Sequence, residues 1–302
     1  MLEINGVSRS FGDRKALDDV SFTCRDGRLT GFVGGNGAGK TTTMRIILGV
    51  LSADAGTVTL DGRPIAESTR RTFGYMPEER GLYPKMKVAE QLAYLARLRG
   101  FERGDADARA RALLARLGLT ERADDKLEAL SLGNQQRTQV AAALVHDPTF
   151  LMLDEPFSGL DPMAVETVQG VLREQASRGA PVLFSSHQLD VVERLCDDVV
   201  IIAGGRIVAA GEREELRAAY TRPRYQIKAG ADLGWVREVA GVEVLELAGG
   251  EALFESDEVT AQQVLSGALS RGAVLEFAPV RPRLAEIFRE VIENEQNVEV
   301  AA

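Results

Sequence analysis

The octapeptide GGNGAGKT at residues 34–41 limits the fold of this chain more than any other stretch. It follows LTGFVG (29–34), a short apolar run that reads as a strand, and precedes TTTMRIILGVL (41–51), which reads as a helix. A strand that turns through glycines into a helix aims successive backbone N–H groups and the positive end of the helix at one spot, which suits an anion. In that position the pattern G-x-x-x-x-G-K-S/T reads as a cradle for the phosphates of a nucleoside triphosphate. Gly34, Gly35, Asn36, Gly37, Ala38 and Gly39 would wrap the phosphates, with Thr42 beside them. Lys40 would reach the β- and γ-phosphates, and Thr41 would offer its hydroxyl to Mg2+. The alternative is a glycine-rich turn that holds a chance lysine. The motif by itself does not say what work the nucleotide does.

The surrounding sequence supplies the setting that such a cradle needs. TFLMLDEP (149–156) and APVLFSSH (180–187) are continuous apolar runs ending in polar residues, as parallel strands buried on both faces are. TVTLDG (57–62) reads as strand then turn, and VVIIAGGRIVAAG (199–211) as a hairpin about Gly204 and Gly205. Between Val88 and about Leu117 apolar residues recur at three- and four-residue steps, which predicts amphipathic helices. The fold class is therefore α/β. Asp154 at the end of its strand would lie near the metal through water, and Glu155 would face the γ-phosphate, where it would polarise a water. Alone, DEP would be a charged turn. His187 ends the next apolar strand, at the edge where ligands gather in open α/β sheets, although a lone histidine there is more often structural. His146, in VHDP, reads as a structural turn residue.

The texture changes at TRPRY (221–225), a proline between arginines that reads as a linker. Beyond it lie strand candidates RYQIKA, VEVLELA, EALFES and AVLEFAPV, a helix VTAQQVLSGALSR, a last helix RPRLAEIFREVIE and a fraying tail. The predicted organisation is a domain over 1–220, with a helical subdomain at about 85–145, and a small α+β domain over 221–302. The formal charge is −9; residues 221–302 hold 8 basic against 14 acidic residues, so most of the excess acid lies there. Neither part has the positive footprint of a nucleic-acid binder. The longest apolar runs fall short of the roughly 20 residues a membrane span needs. The start of the chain lacks the order of a secretory signal, so a cytosolic location is expected. Cys24 and Cys196 have no paired spacing and read as reduced, buried residues.

LSLGNQQR (130–137) carries a serine and a glycine like a second, incomplete cradle. Taken in order, FG (11–12), GGNGAGKT, GYMPE (74–78), LSLGNQQR, FLMLDEP, SGLD (158–161) and SSH (185–187) resemble the ATPase subunit of ATP-binding-cassette (ABC) transporters, over about residues 1–220. The resemblance implies a P-loop NTPase fold with the helical subdomain of that family. It also explains the second cradle: two subunits pack head to tail, and each lends this segment to the ATP held by the other. Ser131, a suitable N-cap, and the amides near Gly133 and Asn134 would then face outward. Phe11 would stack on the adenine, Asp161 would link the two sites, and His187 would contact the γ-phosphate. Three residues depart from the family pattern. Leu132 and Asn134 replace the third and fifth residues of LSGGQ, and Glu78 stands where a metal-sensing glutamine is usual. Glu78 is expected either to change the Mg2+ affinity or to be solvated with a reorganised loop.

YMPEERGLYPKMKV and the closing RPRLAEIF resemble ATPase subunits of export systems, including sodium-extrusion and drug or antibiotic exporters. The implied function is ATP hydrolysis that powers a permease on a separate chain. The partners would be that permease and a second copy of this chain, with no nucleic acid, at the inner face of the cell membrane. The loop at 78–90, with Tyr83, Pro84 and Met86, would dock the permease, or these three residues pack a helical core. A soluble relative acting on ribosomes or DNA is the alternative function. It fits less well, because there is one cassette and no sustained heptad pattern between Lys40 and Asp154. A kinase of the same fold leaves LSLGNQQR and SGLD unexplained. The C-terminal domain is read as a stabilising or dimerising appendage, with regulation and solute gating open.

Overall fold

The computed structural model describes residues 1–79, 81–220 and 223–280. The chain divides into two compact units, Met1–Arg213 and Glu214–Ala302.

In the first unit, the central sheet has six strands in the order Arg206–Glu212, Asp198–Ala203, Leu29–Val33, Val182–Ser186, Phe150–Leu153 and Phe73–Met76. Leu29–Val33 runs parallel to both of its neighbours, and the parallel pairing continues through Phe150–Leu153 to Phe73–Met76. Every residue of Leu29–Val33, Phe150–Leu153 and Val182–Ser186 is buried. That is why these runs show no alternation: both faces are covered, so no position is free to be polar by default. Parallel pairing also places Val33, Leu153, Ser186 and Met76 at one edge of the sheet. The segments that follow them carry the glycine loop, Asp154 and Glu155, His187 and Glu78. The topology alone thus gathers residues from four distant stretches. At the other end of the order, Asp198–Ala203 and Arg206–Glu212 form the expected antiparallel hairpin.

A second sheet of four strands, Arg14–Cys24, Leu2–Phe11, Ala55–Leu60 and Arg63–Pro64, is antiparallel throughout. The sequence reading found one strand of it, in TVTLDG. Leu2, Ile4 and Val7 are buried on one face and face the apolar cluster that also holds Phe22, Phe32 and Met44. Phe22 and Phe32, one from each sheet, meet with ring centroids 5.2 Å apart.

The helix after the glycine loop is Lys40–Ile47, shorter than the stretch read from the sequence. Gly49 takes a left-handed conformation at φ 72°, which only glycine adopts freely, and turns the chain out of the helix. Arg70 then donates to the free carbonyl of Ile47 at 3.1 Å. The predicted amphipathic helices are Val88–Leu98 and Arg103–Arg116, and LSLGNQQR opens a third, Leu132–Leu144. Buried Val88, Ala89, Leu92, Ala93 and Ala96 repeat at helical spacing along the first of these. The loop before it is tied down by fully buried Gln91, whose Oε1 accepts from the Tyr83 amide at 2.5 Å.

The second unit has an antiparallel sheet in the order Glu243–Ala248, Glu251–Glu255, Arg224–Ala229 and Val274–Val280, with the helix Glu258–Arg271. Its core holds Ile227, Val236, Phe254, Ala261 and Val264, and Tyr225 stacks with both Phe254 and Phe277. Asp257 caps the helix by accepting from the Thr260 amide at 2.7 Å. This is a small α+β fold. The predicted last helix, its RPRLAEIF stretch and the fraying tail lie outside the described residues. Both cysteines are free and buried in the first unit. Burial pushes the Cys24 thiol up to about 12 and raises Cys196 as well.

Candidate active site

The loop between Leu29–Val33 and Lys40–Ile47 has the form that its glycines predict. Gly39 sits at the helix start at φ 113°, and a Cβ there would lie 2.6 Å from Leu17 Cδ2. No other residue fits both the conformation and the close approach. Lys40 is buried, and its Nζ donates to the carbonyl oxygens of Gly34 at 2.5 Å and Gly35 at 3.1 Å. Among the described residues no carboxylate forms an ion pair with it, so its charge remains available to an anion.

Across the loop, Asp154 is 2 % exposed, and each of its carboxylate oxygens accepts one side-chain hydrogen bond. Its Oδ2 accepts from Thr41 Oγ1 at 3.1 Å, and its Oδ1 accepts from Ser185 Oγ. Ser185 Oγ in turn accepts from the Glu155 amide at 2.9 Å. One hydroxyl therefore joins both carboxylate-bearing residues. Ser185 had no role in the sequence reading, although SSH was noted as a motif. Glu155 has φ 51°, a left-handed conformation that costs a non-glycine residue about 1 kcal/mol or more and persists where the surroundings enforce it. Its amide bond to Ser185 and the bond from Gln136 Nε2 to its carbonyl, at 2.9 Å, supply that enforcement. The Glu155 carboxylate, 13 % exposed, meets His187 Nδ1 at 2.9 Å. Burial raises the Tyr75 phenol above its ordinary range, and the nearby charge of Asp154 adds to the shift.

Lys40, Thr41, Asp154 and Glu155 line a cavity of about 440 Å³; His187 does not line it and meets it only through the Glu155 carboxylate. Phe11, Glu78, Gly35, Asn36, Gly37, Gly39 and Thr42 are also among its lining residues. Gly34 and Ala38 belong to the loop but do not line the cavity. Phe11 is 49 % exposed, with the Arg9 guanidinium 5.0 Å from its ring centroid. Arg9 is held there by Asp54 at 2.6 Å. Arg14 and Ala16, which the sequence reading passed over, also line the cavity.

Thr41 and Asp154 offer hard oxygens side by side, which suits Mg2+. Among the described residues no group of three or more His, Cys, Asp or Glu side chains is arranged to hold a metal ion. A metal at Thr41 would therefore complete its shell with phosphate and water oxygens.

Ser131, Gly133, Asn134 and Asp161 do not line this cavity. Ser131 caps Leu132–Leu144, accepting from the Asn134 amide at 3.3 Å, and is exposed together with Leu132. Asn134 Oδ1 accepts from Arg137 at 2.5 Å, so its side chain lies along its own helix. Asp161 caps Pro162–Ser177 through the Ala164 amide at 2.8 Å. His146 Nε2 lies 3.1 Å from the carbonyl oxygen of Phe73, in keeping with a structural residue.

The family model described as ABC transporter matches residues 17–158, and that described as ATP-binding protein DrrA1-3-like, C-terminal domain, matches residues 211–292. The chain is 39 % identical over 293 residues to the ABC transporter ATP-binding protein YhaQ of Bacillus subtilis (strain 168), covering 97 % of this chain and 98 % of that protein. It is 34 % identical to Nod factor export ATP-binding protein I of Burkholderia lata (strain 383), covering 94 % of this chain and 89 % of the relative. A solved ATP binding subunit of an ABC transporter superposes with a TM-score of 0.67 at 32 % identity, over 73 % of this chain and 93 % of that one. Ordered motifs, an α/β cassette fold and full-length relatives lead to one conclusion: the chain belongs to the ATP-binding subunits of ABC transporters, and is an ATPase.

Proposed function

We propose that this ATPase powers an exporter. Two copies would pack head to tail, each closing over the ATP in the other's cavity, and the cycle of closure and hydrolysis would move a permease carried on separate chains. The observation that carries this reading is the division of the motifs. The glycine loop, Lys40, Thr41, Asp154 and Glu155 line one cavity, with His187 joined to it through Glu155, while Ser131 and Gly133 lie outside it, at a helix start whose Ser131 is exposed. An incomplete cradle turned to solvent is of use only to a second molecule.

Within the cavity, Lys40 and the loop amides would hold the β- and γ-phosphates, and Phe11 would stack on the base through its open face. Glu155 would orient a water and accept its proton, with His187 fixing the carboxylate at 2.9 Å. Mg2+ held by Thr41 and Asp154, with Glu78 nearby, would neutralise charge on the transferred phosphoryl group. The name of the Nod factor export relative supports the outward direction. No helix among the described residues is long and apolar enough to cross a membrane, which fits a permease on another chain. For its docking, Tyr83 and Pro84 are exposed and Met86 is half-buried. Beside them is a cavity of about 370 Å³ where the buried amide of Gln139 has no hydrogen-bond partner. A polar group on an inserted permease segment would satisfy that amide.

The test is the mass of Glu155→Gln protein by light scattering, with and without ATP. This variant should bind ATP and hydrolyse it at least about a hundredfold more slowly, the usual loss on removing a general base. A monomer that becomes a dimer only with ATP supports the shared site. A mass that ignores ATP overturns nucleotide-driven pairing of the chain.

A further inference from the structure

The cavity holds a second cation besides Lys40. Arg14 lines it and is exposed, and among the described residues its guanidinium makes no ion pair or hydrogen bond. Some exposed arginines in this unit pair with acids, as Arg71, Arg116 and Arg206 do. Arg14 instead points to the glycine loop, where its terminal nitrogen lies 3.4 Å from the place a Cβ on Gly37 would take.

The position is built rather than incidental. Arg14 begins the strand Arg14–Cys24 and pairs across the hairpin with Phe11, which also lines the cavity. Two residues on, Ala16 lies on the same face of the strand and lines the same cavity. The carbonyl of Ala16 is clamped between two glycines: a Cβ on Gly39 would lie 3.0 Å from it, and one on Gly205 would lie 2.7 Å from it. The strand is thus fixed to the phosphate loop at Ala16, and the fixing holds Arg14 over Gly37.

We propose that Arg14 is a nucleotide-binding residue that holds the part of the polyphosphate nearest the base, which ADP and ATP share. This rests on the cavity being the ATP site. Its position along the ligand follows from the two ends of the cavity. On that reading Phe11 marks the base end, and Glu155 with Thr41 marks the γ end. Arg14 sits beside Phe11 and over Gly37, which precedes Lys40 in the loop. A guanidinium there offers forked donors to phosphate oxygens with no carboxylate to compete.

The experiment titrates ATP, ADP and adenosine by calorimetry into the full chain carrying Arg14→Ala or Arg14→Lys, with Lys40→Ala in parallel. Arg14→Ala is expected to weaken ATP and ADP by the same factor, about tenfold for a charged hydrogen bond at a partly screened site. Adenosine should be unaffected, Arg14→Lys should regain part of the loss, and the salt dependence of ATP binding should flatten. The melting temperature without nucleotide should not move, because Arg14 supports nothing else. A loss confined to ATP would place the contact at the γ-phosphate and overturn the proposal. So would an equal loss for adenosine, a lowered melting temperature, or no loss at all while Lys40→Ala abolishes binding. If Lys40→Ala leaves ATP binding intact, the assignment of the cavity itself fails.

Discussion

Ser185→Ala probes the link that holds Asp154 and Glu155 together. The hydroxyl donates to Asp154 Oδ1 and accepts from the Glu155 amide. Alanine fits the space but removes both bonds. Asp154, 2 % exposed, then keeps Thr41 as its side-chain donor, and the Glu155 N–H loses its acceptor. A hydrogen bond to a charged group contributes about 1.5–3 kcal/mol, and leaving a buried N–H unmet costs about 1–3 kcal/mol. The sum is about 3 kcal/mol near the lower end of both ranges. In a unit of this size 1 kcal/mol lowers the melting temperature by about 2–4 °C, so the expected fall is roughly 6–12 °C. Hydrolysis should fall as well, because the amide bond helps keep Glu155 in its left-handed conformation, whereas tight ATP binding through Lys40 should survive. Thermal melts with steady-state hydrolysis, and Ser186→Ala as the neighbouring control, separate the two effects. A melting temperature within about 2 °C of the parent, with unchanged turnover, would refute the claim that Ser185 couples Asp154 to Glu155.

Three further perturbations test other parts of the molecule. Ser131→Arg should leave ATP binding to the monomer intact yet prevent the ATP-dependent dimer in light scattering; monomer binding as weak as in Lys40→Ala would contradict the shared site. Glu78→Gln removes a carboxylate from the lining of the cavity and should shift the Mg2+ concentration needed for half-maximal hydrolysis, whereas an unmoved titration would mean that Glu78 is simply solvated. His146 is held below its ordinary value of 6.5, first by burial and then by the charge of Arg99. The folded state therefore resists protonation, and the stability present above pH 6.5 is lost as the pH falls through 6.5 towards the lower folded value. His146→Gln should lose less melting temperature than the parent between about pH 7.5 and pH 5; equal losses would show that other groups set the acid sensitivity.

The parts of the site that were legible in the sequence are those in which one residue type has a single good use. Gly39 sits where only glycine fits, directly before Lys40, and Phe150–Leu153 and Val182–Ser186 are so thoroughly buried that their polar ends stood out. The antiparallel sheet was harder to read. Leu2–Phe11 has register shifts after Ile4, Val7 and Arg9, which break the period-two signal, and its partner Arg14–Cys24 carries more polar than apolar residues. Ser185 and Arg14 were missed for a different reason. A serine inside a buried strand and an arginine beside a hairpin are ordinary residues, and only the folded chain shows that one bonds Asp154 while the other lies over Gly37. The helix ends at Ile47 because Gly49 turns the chain, a local signal; the partner of the Ile47 carbonyl, Arg70, is distant in sequence and had no local sign.

The outward residues also differ in what they are free to do. Asp161 accepts from the Ala164 amide at 2.8 Å, a strong cap whose loss would free the start of a sixteen-residue helix. Ser131 accepts from the Asn134 amide at 3.3 Å, near the limit of a useful bond. A partner's phosphate can redirect the Ser131 hydroxyl at little cost, because the helix amides would then bond the anion in its place. Redirecting Asp161 would uncap its helix and bring a second negative charge towards the nucleotide. On the proposed reading, then, Ser131 touches the neighbour's ATP. Asp161 acts through the turn it closes, where Leu160 and the carbonyl of Gly159 lie against Gly133. That turn begins with the Ser158 amide bonded to the carbonyl of Glu155, so a change in either half-site has a short covalent and hydrogen-bonded route to the other.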